Sequence, residues 1–111
     1  MIYKLLLPGE WTAFQGSAVF TGSPVDRADG FIHFSTAEQL RETARKHFAE
    51  ESGLVLLEID PARLSGALKW EPSRGGALFP HLYAELPLQA VTRHWTLLRG
   101  AGGELIPENL I

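Results

Sequence analysis

Two short segments carry residue types suited to chemistry, Gly30-Phe31-Ile32-His33-Phe34-Ser35-Thr36 and Phe79-Pro80-His81-Leu82-Tyr83. His33 stands in a stretch of strand character that feeds a helix start, where free amides and the helix dipole favour anions. Ser35 and Thr36 add hydroxyls at that end, so the segment reads as a clamp for phosphate or carboxylate. The plainer alternative makes His33 a half-buried strand residue and Ser35 only a cap. His81 follows Pro80, which lacks a backbone donor and holds Phe79 extended. In an extended chain Phe79, His81 and Tyr83 share one face. They would make a stacking wall for a flat ring, or else an aromatic core around one satisfied histidine.

The two segments are expected to face one pocket, with His33 and His81 as its candidate catalytic acid/base residues. Trp70, Glu71 and Arg74 precede the Gly75-Gly76 hinge. A basic side chain on such a loop would fold over an anionic ligand, although most such arginines are simply solvated. His47 and His94 receive no role. The four histidines lack the short spacing of a compact metal-ligand pair, so no metal is expected. There is no phosphate-binding loop, dinucleotide fingerprint or nucleophile elbow.

These residues need elements to hold them. Residues 2–7 read as a buried strand ended by Pro8-Gly9, and residues 10–15 as a short helical stretch closed by Gly16. Residues 25–30 are polar and end in an Asp-Gly turn signal. Residues 31–34 form a strand leading into the clearest helix. Its start is marked by Ser35 and Glu38 at capping-box spacing, and its apolar stripe is Leu40, Ala44 and Phe48. Gly53 suits its termination. The near-continuous apolar run 54–59 is a central strand. Asp60-Pro61 starts a single helical turn, residues 68–71 make a further strand, and 72–76 make a polar loop. Residues 81–84 and 90–98 are extended, 100–103 form a turn, and the last residues form a tail. The sum is an α+β protein, residues 1–111 forming one domain.

Composition narrows the partners. The apolar share of 45% is that of a globular chain able to bury a core unaided. Cysteine is absent, which fits a reducing, cytoplasmic setting and excludes disulfides and thiolate zinc sites. The N-terminal apolar run is too short for a signal peptide, and no stretch has the length of a membrane span. A net charge of −3, with ten scattered Lys and Arg, argues against non-specific nucleic-acid binding. The expected partner is a small molecule. Nothing in the sequence specifies an oligomeric state.

His33-Phe34-Ser35 resembles the H-x-[ST] signature of two-histidine phosphoesterases, but the second copy, His81-Leu82-Tyr83, is broken by Tyr83. A longer resemblance runs along nearly the whole chain. The motifs that carry it include Ile2-Tyr3-Lys4, Trp11, residues 29–36, Gln39-Leu40, residues 54–60, Leu68-Lys69-Trp70-Glu71, residues 79–83 and Ala90-Val91. It is to the small bacterial proteins of the domain of unknown function 952 family. That family is similar in fold to ADP-ribosyltransferase domains, so the resemblance implies a curved, split β-sheet holding NAD or a related nucleotide in a central cleft. Where many relatives have histidine in the first strand, this chain has Lys4. In a pocket of that type Lys4, Arg74, Ser35 and Thr36 would bind phosphate or ribose, Phe79, His81 and Tyr83 would form the ring-stacking wall, and Trp70, next to Glu71 and Arg74, would lie beside the ligand. Glu71 and Glu85 are the acids near the motifs, and neither has the context of a catalytic H-Y-E glutamate. The implied function is an ADP-ribosyl or phosphotransferase, or a non-catalytic sensor using the same pocket.

Overall fold

The computed structural model describes residues 1–48, 53–64 and 66–98. Its centre is the antiparallel sheet β1-β4-β8, formed by Ile2–Leu6, Leu54–Ile59 and Val91–Leu97. Both β1 and β4 are buried along their whole length, which explains their near-continuous apolar sequences. Alternation sorts their side chains. Ile2, Leu6, Val55, Leu57 and Ile59 join Phe14, Phe20, Ile32, Leu82 and Leu86 in one core cluster. Tyr3, Leu5, Leu54 and Leu56 join Leu40, Ala44 and Leu97 in a second. By the same alternation, Lys4 falls on the Ile2 and Leu6 side of β1 and points inward.

The second three-stranded sheet is β3-β6-β5, from Ile32–His33, Leu78–Leu82 and Leu68–Pro72. Ile32 pairs with Leu82, and both enter the core. His33 pairs with His81, on the other face. A small ribbon pairs β2 (Val19–Phe20) with β7 (Leu86–Pro87). The two larger sheets meet at an isolated bridge between Tyr3 and Ser35, with backbone bonds of 2.8 and 2.9 Å in both directions.

Three helices complete the described architecture. Helix α1, Pro8–Ser17, starts with proline at its first turn, and the Leu7 amide donates to Glu10 Oε1 at 2.8 Å. It is longer than the expected 10–15. Helix α2, Pro24–Asp29, replaces the expected polar turn. Ser23 accepts from the Asp26 amide, the Asp26 carboxylate accepts from the Ser23 amide, and Gly30 closes the helix at φ +87°. Ser23-Pro24 followed by Asp26 was the available signal.

Helix α3, Ala37–His47, packs Leu40 and Ala44 against β1 and β4, with Phe48 partly buried beside them. Its cap is a correction: Thr36, not Ser35, accepts from the Gln39 amide, and Gln39 replies through the Thr36 amide. Ser35 is committed to the bridge with Tyr3, so its backbone stays extended and the helix starts one residue later. The helix ends ahead of Gly53, which at φ +74° begins the approach to β4. The expected turn at 100–103 and the tail lie outside the described residues. Among the described residues no helix is long and apolar enough to cross a membrane.

Candidate functional site

A cavity of about 480 Å³ opens where the two sheets meet, and both bridge residues, Tyr3 and Ser35, line it. That volume is in the range of small-molecule sites. His33 and His81 both line it, as do Lys4 and Phe79. Cross-strand pairing explains the meeting of the histidines: directly opposed residues project to one face of the sheet. Their ring centroids lie 5.5 Å apart at 70°.

The surroundings of the two rings differ. His33 Nδ1 is 2.6 Å from Asp26 Oδ1, and its Nε2 is 2.9 Å from Asp29 Oδ2. His81 Nδ1 is 2.9 Å from Glu71 Oε1, which also accepts from the Tyr83 hydroxyl at 2.6 Å. Its Nε2 has no hydrogen-bond partner among the described residues, although the side chain is only 6% exposed. Tyr83 and His81 hold the Glu71 carboxyl below its usual range, so Glu71 is ionised at neutral pH and can only accept. His81 therefore donates from Nδ1.

Asp26 is the organising acid. It is 2% exposed and accepts from the Ser23 and His33 amides as well as from the His33 ring. Burial pushes its carboxyl up, but His33, Lys4 and the backbone donors together hold it well below its ordinary value. Lys4 reaches Asp26 Oδ2 at 3.2 Å and Oδ1 at 3.4 Å, and donates to the His33 carbonyl at 2.8 Å. Burial lowers the Lys4 ammonium and Asp26 partly restores it. Lys4 is thus an interior strut in the cavity wall, held between the His33 carbonyl and the Asp26 carboxylate.

The remaining candidates separate. Ser35 lines the cavity, with its hydroxyl 2.8 Å from that of Thr43. Thr36 caps α3 and does not line the cavity. Trp70 opposes Pro80 in the register while Lys69 opposes His81, so Trp70 falls on the other face of β5 and is exposed. Tyr83 lies beyond the end of β6 and lines a neighbouring cavity of about 390 Å³ with Phe31, Arg27 and Glu85. Arg74 begins the short turn Arg74–Gly76, and its side chain lies outside the described residues.

Sequence reasoning gave no individual role to Phe31, Asp26 or Asp29. Phe31 stacks on His81 at 4.1 Å and 24°, occupying the ring face expected to receive a ligand. Asp26 and Asp29 sit on the helix that was read as a turn.

The family model described as protein of unknown function (DUF952) matches residues 6–94. The crystal structure of protein CC0527 from Caulobacter crescentus is 50% identical, with a TM-score of 0.89, covering 95% of this chain and 92% of that one. The solution NMR structure of CC0527 is 51% identical, with a TM-score of 0.82, covering 92% and 88%. No curated protein matches the sequence.

Proposed function

The chain belongs to the DUF952 family, and on that premise we propose that it is a cytoplasmic nucleotide-binding protein whose cleft takes NAD, ADP-ribose or a related molecule. His81 is its acid/base group. The observation that carries this reading is His81 itself: a buried imidazole in a cavity wall, oriented by a carboxylate and with one ring nitrogen unpartnered among the described residues. A carboxylate that fixes an imidazole while its other nitrogen faces a cleft is the arrangement general acid/base catalysis uses. The cleft lies at the seam of two antiparallel sheets, which suits the likeness to ADP-ribosyltransferase domains. Fold likeness supports the ligand class by analogy.

His33 acts here as a positioning residue, since both its ring nitrogens are held by aspartates. That favours a second reading, a non-catalytic sensor using the same cleft. It also removes support from the two-histidine phosphoesterase, which needs both imidazoles free to face a phosphate.

Thermal denaturation with NAD and ADP-ribose tests the proposal. A ligand at a hundred times its Kd adds about 2.7 kcal/mol, enough to raise the melting temperature of a domain this size by several degrees. The shift is expected in the parent protein and is reduced in His81→Ala. Release of nicotinamide from NAD separates the enzyme from the sensor. No shift at millimolar ligand would overturn the nucleotide reading.

A further inference from the structure

The hydrogen-bonding inventory of the cavity restricts which part of a ligand can sit there. Lys4 and His33 carry the basic groups of its polar wall. The Lys4 ammonium is engaged by the His33 carbonyl and both Asp26 oxygens. The two His33 nitrogens lie 2.6 Å from Asp26 Oδ1 and 2.9 Å from Asp29 Oδ2, so both are already engaged by protein oxygens. Among the described residues the groups still offered include acceptors: the second oxygen of Asp29, the second oxygen of Glu10 and, in the neutral ring whose Nδ1 donates to Glu71, His81 Nε2. Ser23 and Ser73 also line the cavity with hydroxyls that act either way. Leu5, Phe34, Leu40 and Phe79 supply apolar lining to the same cavity.

We infer that the cavity takes a ligand face that donates hydrogen bonds and is neutral or cationic, such as a vicinal diol or a carboxamide, together with an apolar ring against its apolar lining, and that it excludes phosphate. An anion entering here would meet Asp29 and Glu10 with no uncommitted lysine or arginine among the described lining residues to receive it, and like-charge contact with carboxylates is unfavourable. A diol meets two acceptors. The inference rests on the nucleotide reading and assigns the cavity to the ribosyl part of such a ligand, leaving phosphates outside it.

The test uses isothermal titration of the full chain with four probes: nicotinamide riboside, adenosine, 2′,3′-dideoxyadenosine and inorganic pyrophosphate. The parent protein is expected to bind at least one diol-bearing nucleoside, to lose about tenfold or more with the dideoxy analogue, and to ignore pyrophosphate. Asp29→Ala is expected to reverse the order. It removes a diol acceptor together with a negative charge and uncovers His33 Nε2, so the nucleoside weakens while pyrophosphate gains affinity. A merely structural role for Asp29 would weaken both. Pyrophosphate or ADP binding to the parent protein where nucleosides do not would overturn the inference and leave the nucleotide reading standing. Failure of all these probes together with NAD and ADP-ribose would overturn both.

Discussion

His33 and His81 are opposed across β3 and β6 with ring centroids 5.5 Å apart, yet their nitrogens are used differently. His33 is held at both nitrogens by α2, whereas His81 is held at one by β5. The consequence is that, among the described residues, one nitrogen of this histidine pair is left available to the cleft.

Glu71 should therefore set the His81 tautomer. In long-range nitrogen–proton NMR spectra, the neutral His81 ring is expected to carry its proton on Nδ1. Glu71→Gln keeps an acceptor oxygen and should retain that tautomer. Glu71→Leu removes it and should give a mixture of tautomers. An Nε2-protonated ring in the parent protein would contradict the assignment.

The helix cap gives a test at the other end of the cleft. Thr36→Ala should cost about 1 kcal/mol in urea denaturation, the usual loss for an N-cap hydroxyl. Ser35→Ala leaves that cap intact and removes only the contact with the Thr43 hydroxyl, so it should cost less. The reverse order would restore Ser35 as the cap.

How much of this could be read in the sequence depends on the range of each signal. Residues 54–59 and the Leu40/Ala44 stripe were legible because periodicity and continuous apolarity report burial directly. Meeting of the two histidine segments was also expected, since both carry polar residues among apolar neighbours. Hydrogen-bond ownership was not legible. Whether Ser35 or Thr36 caps α3 is decided by a bridge to Tyr3, a residue remote in the chain. Lys4 looked available to a ligand because its partner, Asp26, lay in a segment read as a turn. Trp70 was placed beside the ligand by its neighbours in sequence, whereas strand register turns it to the opposite face.

Lys4→Met should be costly. It leaves Asp26 buried with its cation removed, and breaking one side of a buried pair typically loses about 3–5 kcal/mol. Against a domain stability of about 5–15 kcal/mol, that is visible as a large fall in the denaturation midpoint. A change below about 1 kcal/mol would show that the pair contributes little. Lys4→His restores the residue implied by the resemblance but is shorter, so it should recover only part of the loss.

Acid should unfold the protein partly through Glu58, on β4 next to the outer strand. Arg93 is the main cause of its lowered carboxyl pKa. Burial opposes the shift, and the Thr92 and Tyr3 hydroxyls assist it, bringing the value from 4.5 to about 2. A folded pKa below the unfolded one means stability present above pH 4.5 and lost as the pH falls toward 2. Denaturation midpoints measured across that window should fall with pH. The slope should be shallower in Arg93→Ala, and an unchanged slope would remove Glu58 from the account.

Phe31 separates the two cavities. It lines the smaller one and stacks on His81, a wall of the larger, while Asp26 borders both. Gly30 precedes it in the left-handed region at φ +87°, a conformation other residues adopt only with strain. Phe31→Ala should therefore open the covered face of His81 and join the cavities without disturbing the β3–β6 pairing. The measurable result is faster acylation of His81 by diethyl pyrocarbonate, followed by mass spectrometry, with His33 still slow because both its nitrogens are held. Phe31→Leu keeps bulk over the ring and should react at close to the parent rate. If Phe31→Ala leaves the His81 rate unchanged while remaining folded by circular dichroism, Phe31 is not what shields that imidazole. Faster reaction at His33 instead would mean that the aspartates on α2 do not hold its ring.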